Sequence, residues 1–212
     1  MPNGLSRDTL NKRAMYIERN LELMQEFPFA HPEVKCNINR IYNTAFPGST
    51  LYDLTSASVR QLTNSWSVSV RKMWELPVQA HRYLIEPLSG CHAHTMLIVR
   101  FVKFLQSMLK FSEMAVHFML RKVEQDASST TGKNLAYIRK LVGTNCDLLT
   151  VSPKWLKKQV PFQPMNESDK WRVTLIKEVA NIRNDVLSLQ SDSETFLTSE
   201  QLNDIVDFVS CY

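Results

Sequence analysis

The run Cys91-His-Ala-His94 places three possible metal ligands within four residues. A structural zinc site needs four ligands, and no second pair follows at a recognised spacing. We therefore expect a solvated helix start with no bound metal, and a structural zinc site is the alternative interpretation. A nucleophilic Cys91 or Cys146 would need a base such as His92 or His94, and no third group that would orient that base is evident.

Other signatures of catalysis are missing from the sequence. It contains no glycine-rich nucleotide-binding loop, no zinc-protease motif and no Gly-x-Ser-x-Gly elbow. No adjacent carboxylates are placed to hold two catalytic metal ions. We expect no catalytic residue, no cofactor and no enzymatic activity of the chain alone.

Basic side chains instead concentrate around an apolar helical stripe that contains Trp66 and ends at Pro77. Such an arrangement suits contacts to a phosphate backbone better than covalent chemistry. The alternative is a solvated cationic face without a ligand. The predicted nucleic-acid-binding residues are Arg71, Lys72, His81, Arg82, Arg100 and Lys103.

Charge is distributed unevenly along the 212 residues. Residues 1–160 hold 21 Lys/Arg against 12 Asp/Glu, a net charge of +9, and residues 161–212 hold 4 against 9, a net charge of −5. A basic body with an acidic end indicates a polyanionic partner for the body.

Composition favours an all-α fold, a multi-helix bundle with a C-terminal helix pair, because glycine is scarce and Leu, Met and Lys/Arg are abundant. We predict three segments, 1–76, 77–160 and 161–212. The four cysteines are far apart, which indicates reduced thiols in an intracellular compartment, cytoplasmic or nuclear. No apolar run reaches membrane-spanning length, so we expect no membrane association.

Apolar spacing predicts the individual helices. The first runs over residues 8–26 with a buried stripe of Leu10, Ala14, Ile17, Leu21 and Met24, and the second, over 33–45, buries Val34, Ile38, Ile41 and Tyr42. Helices follow around Trp66 and over 92–110, 113–125 and 135–142, and a basic turn over 154–158.

The C-terminal segment is predicted to begin after a proline-flanked linker, 161–164. Asn166 caps a helix with the stripe Trp171, Leu175, Val179, Ile182, Val186 and Leu189, and a capping box at Thr198 and Gln201 opens a last helix. Apolar spacing also places five aromatic residues in the core rather than against bases, namely Trp66, Trp74, Phe101, Phe104 and Trp171.

Several blocks resemble the thumb and C-terminal extension of reverse transcriptases from non-LTR, LINE-like retrotransposons. They are Ile17–Phe27 with Phe29–Pro32, Asn39–Asn43, Phe46–Ser49, Trp66–Gly90, Thr131–Asn134, Asp169–Val173 with Lys177 and Glu178, and Phe196–Leu202. The sequence departs from the family's pattern at Tyr52, where Trp is expected, and at Ala80, where Thr is usual.

The resemblance implies that residues 1–76 form a thumb-like bundle along a primer–template duplex, with 77–160 as a basic extension. The partners would be RNA or an RNA–DNA hybrid and the palm domain, which carries the metal-binding aspartates of that family. The alternative function is a helical protein–protein interaction module without a role in nucleic-acid binding, in which the Trp171–Leu189 stripe contacts another polypeptide.

Overall fold

The computed structural model describes residues 3–27, 30–44, 46, 48–111, 113–143, 146–160 and 166–188, and also 203, 204, 206 and 207. All regular structure in these residues is helical, which confirms the all-α prediction. None of their helices is long and apolar enough to cross a membrane. The α-helices are α1 (Asn3–Gln25), α2 (Pro32–Asn43), α3 (Ala57–Met73), α4 (Ile85–Ser89), α5 (Ala93–Met108), α6 (Met114–Gln125), α7 (Thr130–Val142), α8 (Pro153–Gln159) and α9 (Glu167–Ser188).

The chain forms two compact units from interleaved segments. Unit 1 consists of Met1–Arg13, Phe46–Thr63 and Ala93–Pro161, and unit 2 of Ala14–Ala45, Asn64–His92 and Phe162–Tyr212. Helices α1 and α3 each contribute their first part to unit 1 and their second part to unit 2. Each unit therefore takes residues from more than one of the segments 1–76, 77–160 and 161–212, and that division stays a prediction.

Unit 1 is built around α5, which is apolar on most of its sides. The buried side chains of α5 include Leu97, Ile98 and Phe101, as the sequence predicts. The side chain of Asn134, on α7, is fully buried and bonds the main chain of the 52–54 segment. Its Oδ1 accepts from Leu54 N at 2.9 Å and its Nδ2 donates to the Tyr52 carbonyl at 2.7 Å, so one amide holds this segment against α7.

Unit 2 is centred on the second part of α3, where Trp66, Val70 and Met73 are buried as predicted. The predicted stripe of α1 is also confirmed, since all five of its residues are buried. The Asn166 cap is present: its Oδ1 accepts from Asp169 N at 2.7 Å, and its main-chain N donates to the Asp169 carboxylate at 3.1 Å. This reciprocal pair satisfies donors at the start of α9.

The predicted buried face of α2 is wrong. Its apolar residues Val34, Ile38, Ile41 and Tyr42 are exposed, whereas Lys35, Cys36, Asn39 and Asn43 are buried. Hydrogen bonds make this arrangement possible, since Asn43 donates to Asn39 and accepts from Asn20 at 2.7 Å. A buried polar side chain is tolerated when it is paired in this way, and apolar periodicity alone cannot identify such a face.

The predicted stripe of α9 is also partly wrong. The buried apolar residues are Val173, Ile176 and Val179, whereas Trp171 is 61% exposed and Ile182 is 44% exposed. Arg172 lies beside the buried face and donates to the Tyr83 hydroxyl at 2.7 Å. A helix of this type has two apolar faces, and only tertiary contacts decide which one is buried.

Three smaller predictions are corrected by the structure. Phe104 is exposed rather than in the core. Residues 154–158 lie in the α-helix α8, because Ser152 caps its start by accepting from Trp155 N at 3.1 Å and Pro153 takes the first helical position. Helix α7 starts at Thr130, five residues earlier than predicted, with Ser129 as its cap.

Some predictions fall on residues outside those described. They are the linker 161–164, Leu189 and the capping box at Thr198 and Gln201. Of the last predicted helix, residues 203, 204, 206 and 207 are described and helical. Val206 is buried and lines a small cavity with Ile176 and Val179, so this part of the chain packs on α9.

Candidate nucleic-acid interface

The two units carry opposite net charges. Unit 1 holds 15 Lys/Arg and 6 Asp/Glu, a net charge of +9, and unit 2 holds 10 and 15, a net charge of −5. A field of one sign over a unit of this size attracts polyanions and raises their association rate. Unit 1 is therefore the part of this molecule whose charge would attract a phosphate backbone.

The few carboxylates of unit 1 are mostly engaged in local structure. Asp8 pairs with Lys12, and Glu124 pairs with Arg139. Asp53, Asp126 and Asp147 accept main-chain N–H groups of the turns that they begin. Ten exposed cations have no carboxylate within 4 Å in the described part of unit 1: Arg60, Lys103, Lys110, Arg121, Lys122, Lys133, Lys140, Lys154, Lys157 and Lys158.

Helix α8 presents three of these cations. Leu156 is fully buried and anchors the helix, whereas Lys154, Lys157 and Lys158 are exposed. Trp155, which lies between them in the sequence, is also exposed. We call Lys154, Lys157 and Lys158 the α8 lysines.

Hydrogen bonds place α8 along α5. Gln106 donates to the carbonyls of Leu148 and Val151 at 3.1 and 2.7 Å, and Thr95 donates to the Val160 carbonyl at 3.1 Å. Residues 151–160 therefore run antiparallel to α5 along the side that carries Thr95 and Gln106. Lys103 lies on α5 about 80° around the helix from Thr95.

Arg100 and Lys103, the two predicted site residues of unit 1, differ in their surroundings. Lys103 is exposed. Arg100 is half-buried, with its guanidinium 5.4 Å from the centre of the Phe46 ring, and burial lowers its pKa. Helix α5 ends at Met108, so Lys110 lies in the turn that follows the helix.

The other predicted residues lie in unit 2. Arg71 is only 9% exposed, and its Nε and Nη2 both donate to the Ala80 carbonyl, at 3.1 and 2.8 Å. These two hydrogen bonds connect α3 to Ala80 across the segment that follows the helix. In this segment Glu75 has a left-handed φ of 53°. Burial, and then the nearby Arg82 charge, lower the pKa of Arg71. The geometry therefore favours a positioning role for Arg71 over a phosphate contact.

Lys72, His81 and Arg82 are exposed. The His81 ring stacks on Tyr83 with 5.1 Å between ring centres and 15° between ring planes. Arg82 donates to Asn64 Oδ1 at 3.3 Å. These three groups face solvent in a unit whose net charge is negative.

The α8 lysines are not among the site residues predicted from the sequence. The signal was present, because Ser152-Pro153 before Lys154 is a helix start and Lys157 and Lys158 follow on the next turn. Net charges counted over contiguous segments of the sequence also do not show that the chain divides into a basic unit and an acidic unit. Residues 14–45 and 64–92 carry net charges of −1 and +1, so moving them between groups leaves both totals unchanged.

The metal and nucleophile interpretations gain no support from the geometry. Cys91 and His92 are buried, and the His94 Nε2 lies 3.1 Å from the Tyr137 hydroxyl. Among the described residues, no group of three or more His, Cys, Asp or Glu could hold a metal ion.

Compared with known proteins, the chain matches no family model, no curated protein and no solved structure.

Proposed function

We propose that the chain is a nucleic-acid-binding helical module that holds RNA or an RNA–DNA hybrid by contacts to phosphates. The contact surface is the basic unit 1, with the α8 lysines and Lys103 as its centre. The chain positions nucleic acid and performs no bond-making step of its own.

The observation that carries this proposal is the excess of unpaired positive charge in unit 1. Ten exposed cations there lack a carboxylate partner among the described residues, and unit 2 is net negative. Phosphate contacts of this kind give binding that is independent of sequence and sensitive to salt.

We also propose that the chain is the non-catalytic part of a retroelement reverse transcriptase and that a palm domain is its second partner. This rests on the resemblance of the blocks from Ile17 to Leu202 to the thumb and C-terminal extension of that family. Genomic sequence immediately upstream tests it. An open frame that encodes a palm with paired aspartates would support the assignment, and an upstream frame that encodes any other protein would contradict it.

Replacing the α8 lysines together by alanine tests where the nucleic acid binds. We expect the affinity for a labelled RNA–DNA hybrid to fall at least about thirtyfold at 0.1 M salt, because each lost phosphate contact weakens binding up to about eightfold. Fluorescence anisotropy measures this change.

The matched control removes three exposed cations of unit 2, Arg40, Lys72 and Arg82, by alanine substitution. Both variants lose three positive charges, but we expect the unit 2 variant to bind within about threefold of the parent. Equal losses would show that only net charge matters, and a larger loss in unit 2 would place the interface around Lys72 and Arg82.

A second candidate function, a helical interaction module, is favoured by a partly exposed apolar face of α9, on which Trp171 and Ile182 are exposed and Leu175 and Val186 are half-buried. Trp171, Leu175, Ile182 and Val186 lie within about 60° of one another around the helix and span about 22 Å. Exposed apolar surface of this extent often marks a protein contact.

Light scattering after size exclusion tests the second candidate with the double variant Trp171→Ser, Ile182→Ser. Both side chains are exposed, so the change should leave stability within about 0.5 kcal/mol. If α9 is an interface between copies, the parent dimerises with rising concentration and the variant stays monomeric. A parent that is monomeric at every concentration would contradict self-association.

A further inference from the structure

Unit 1 contains an open cleft of about 710 Å³ next to α6. Residues from α6, α7 and the 146–150 turn line it, and its volume lies within the range of small-ligand pockets. Three leucines, Leu109, Leu120 and Leu149, form its apolar walls. A planar group could therefore lie against aliphatic side chains on more than one side.

The polar lining of the cleft contains two cations and two carboxylates, and among the described residues Asp147 and Arg121 are the two that form no ion pair. Arg139 and Glu124 neutralise each other in an ion pair, and the Asp147 carboxylate accepts from Leu149 N at 3.1 Å. The His117 Nε2 donates to the Phe111 carbonyl at 2.9 Å. Arg121 lines the cleft, is exposed, and has no carboxylate within 4 Å in the described part of the chain.

The helix face next to the cleft presents an exposed aromatic ring and another cation. Phe118 is 63% exposed, and the Lys122 ammonium lies 5.6 Å from the centre of its ring. Exposed rings interleaved with cations are typical of surfaces that bind single strands, because every base offers a face for stacking. In a duplex the bases are stacked on one another and cannot enter a cleft.

We propose that this cleft binds one nucleotide of a single-stranded nucleic acid. Its phosphate lies on Arg121, its base enters between Leu120 and Leu149, and the side chains of Gln125 and Thr150 contact the edge of the base. The adjoining nucleotide stacks on Phe118. This inference rests on the proposed function and refines it, since it separates a site for unpaired nucleotides from the α8 lysines.

Cys146 provides a direct readout of occupancy. Its thiol is free and half-buried, and it lines the cleft. The other two described thiols, Cys36 and Cys91, are buried, and burial raises the pKa of Cys36 to about 12. With Cys211 replaced by serine, a maleimide should therefore modify Cys146 selectively, because the thiolate is the reactive form.

The experiment compares maleimide modification of Cys146 with a 12-residue RNA, a 12-base-pair hybrid duplex and a free nucleoside monophosphate. We expect the RNA to slow modification at least about fivefold when roughly nine-tenths of the protein is bound. The duplex should bind without slowing modification. Protection by the monophosphate alone, without protection by RNA, would show a site for free nucleotides and overturn the proposal.

Two neighbouring variants provide the matched control. Arg121→Ala and Lys122→Ala each remove one exposed charge, but only Arg121 lines the cleft. Arg121→Ala should lower the RNA affinity at least about fivefold and remove the protection, whereas Lys122→Ala should lower the affinity about threefold or less and keep it.

The outcomes separate this inference from the proposed function. If RNA binds with salt-sensitive affinity and leaves Cys146 unprotected, or if both variants lose affinity equally, the cleft is not the site and the phosphate contacts stand. If neither RNA nor hybrid binds at low salt, the proposed function fails and the cleft proposal fails with it.

Discussion

Replacing Arg71 by methionine should lower the free energy of unfolding by about 2–3 kcal/mol. The aliphatic stem is kept, but the Ala80 carbonyl loses both donors of a buried guanidinium. Buried polar groups that lose a charged partner account for a large share of strongly destabilising substitutions. Urea unfolding followed by circular dichroism measures the change.

Lys72 is the control for Arg71, because it is adjacent and exposed. Lys72→Ala should change the unfolding free energy by no more than about 0.5 kcal/mol. At a temperature where both variants are folded, Arg71→Met should bind hybrid duplex as the parent does. A stable Arg71→Met protein with weakened binding would instead make Arg71 a phosphate contact.

The largest single loss of stability is expected for Trp66→Ala, about 3–5 kcal/mol. Trp66 is fully buried on α3 at the centre of unit 2, so its removal leaves a large cavity. Its indole Nε1 is also buried and has no hydrogen-bond partner in the described part of the chain.

Trp66→Phe separates the volume of the side chain from its polar atom. Phenylalanine removes the indole N–H without breaking a hydrogen bond, so the loss should be roughly 1–2 kcal/mol. Unfolding in urea, with the slope compared between variants, measures both losses. A loss for Trp66→Phe as large as that for Trp66→Ala would mean that the indole makes an essential contact.

Much of the fold follows from apolar spacing where a helix has a single apolar face. The stripe of α1 is of this kind and is correctly predicted, whereas α5 is apolar on most of its sides and its predicted core residue Phe104 is exposed. Helix α2 is different, because paired asparagines form its buried face and its apolar residues face solvent. Its orientation depends on Asn20 and Ser69, partners that local periodicity does not contain.

The candidate site could be predicted only in part. Sequence gives the positions of the cations and the total charge, but it does not show that Arg71 is buried against Ala80 or that Arg139 is neutralised by Glu124. Assignment of residues 64–92 and 93–161 to different units also depends on long-range packing. A local signal for α8 was present in the serine–proline start before its lysines, although residues 154–158 were predicted as a turn.

The most direct test of phosphate contact is the salt dependence of binding by the unmodified chain. Its affinity for RNA and for a hybrid duplex should be measured between about 50 and 200 mM salt. The account predicts a linear fall of log K with log salt concentration and a slope of about −3 or steeper, as for several neutralised phosphates. A slope near zero, or no binding at the lowest salt concentration, would contradict it.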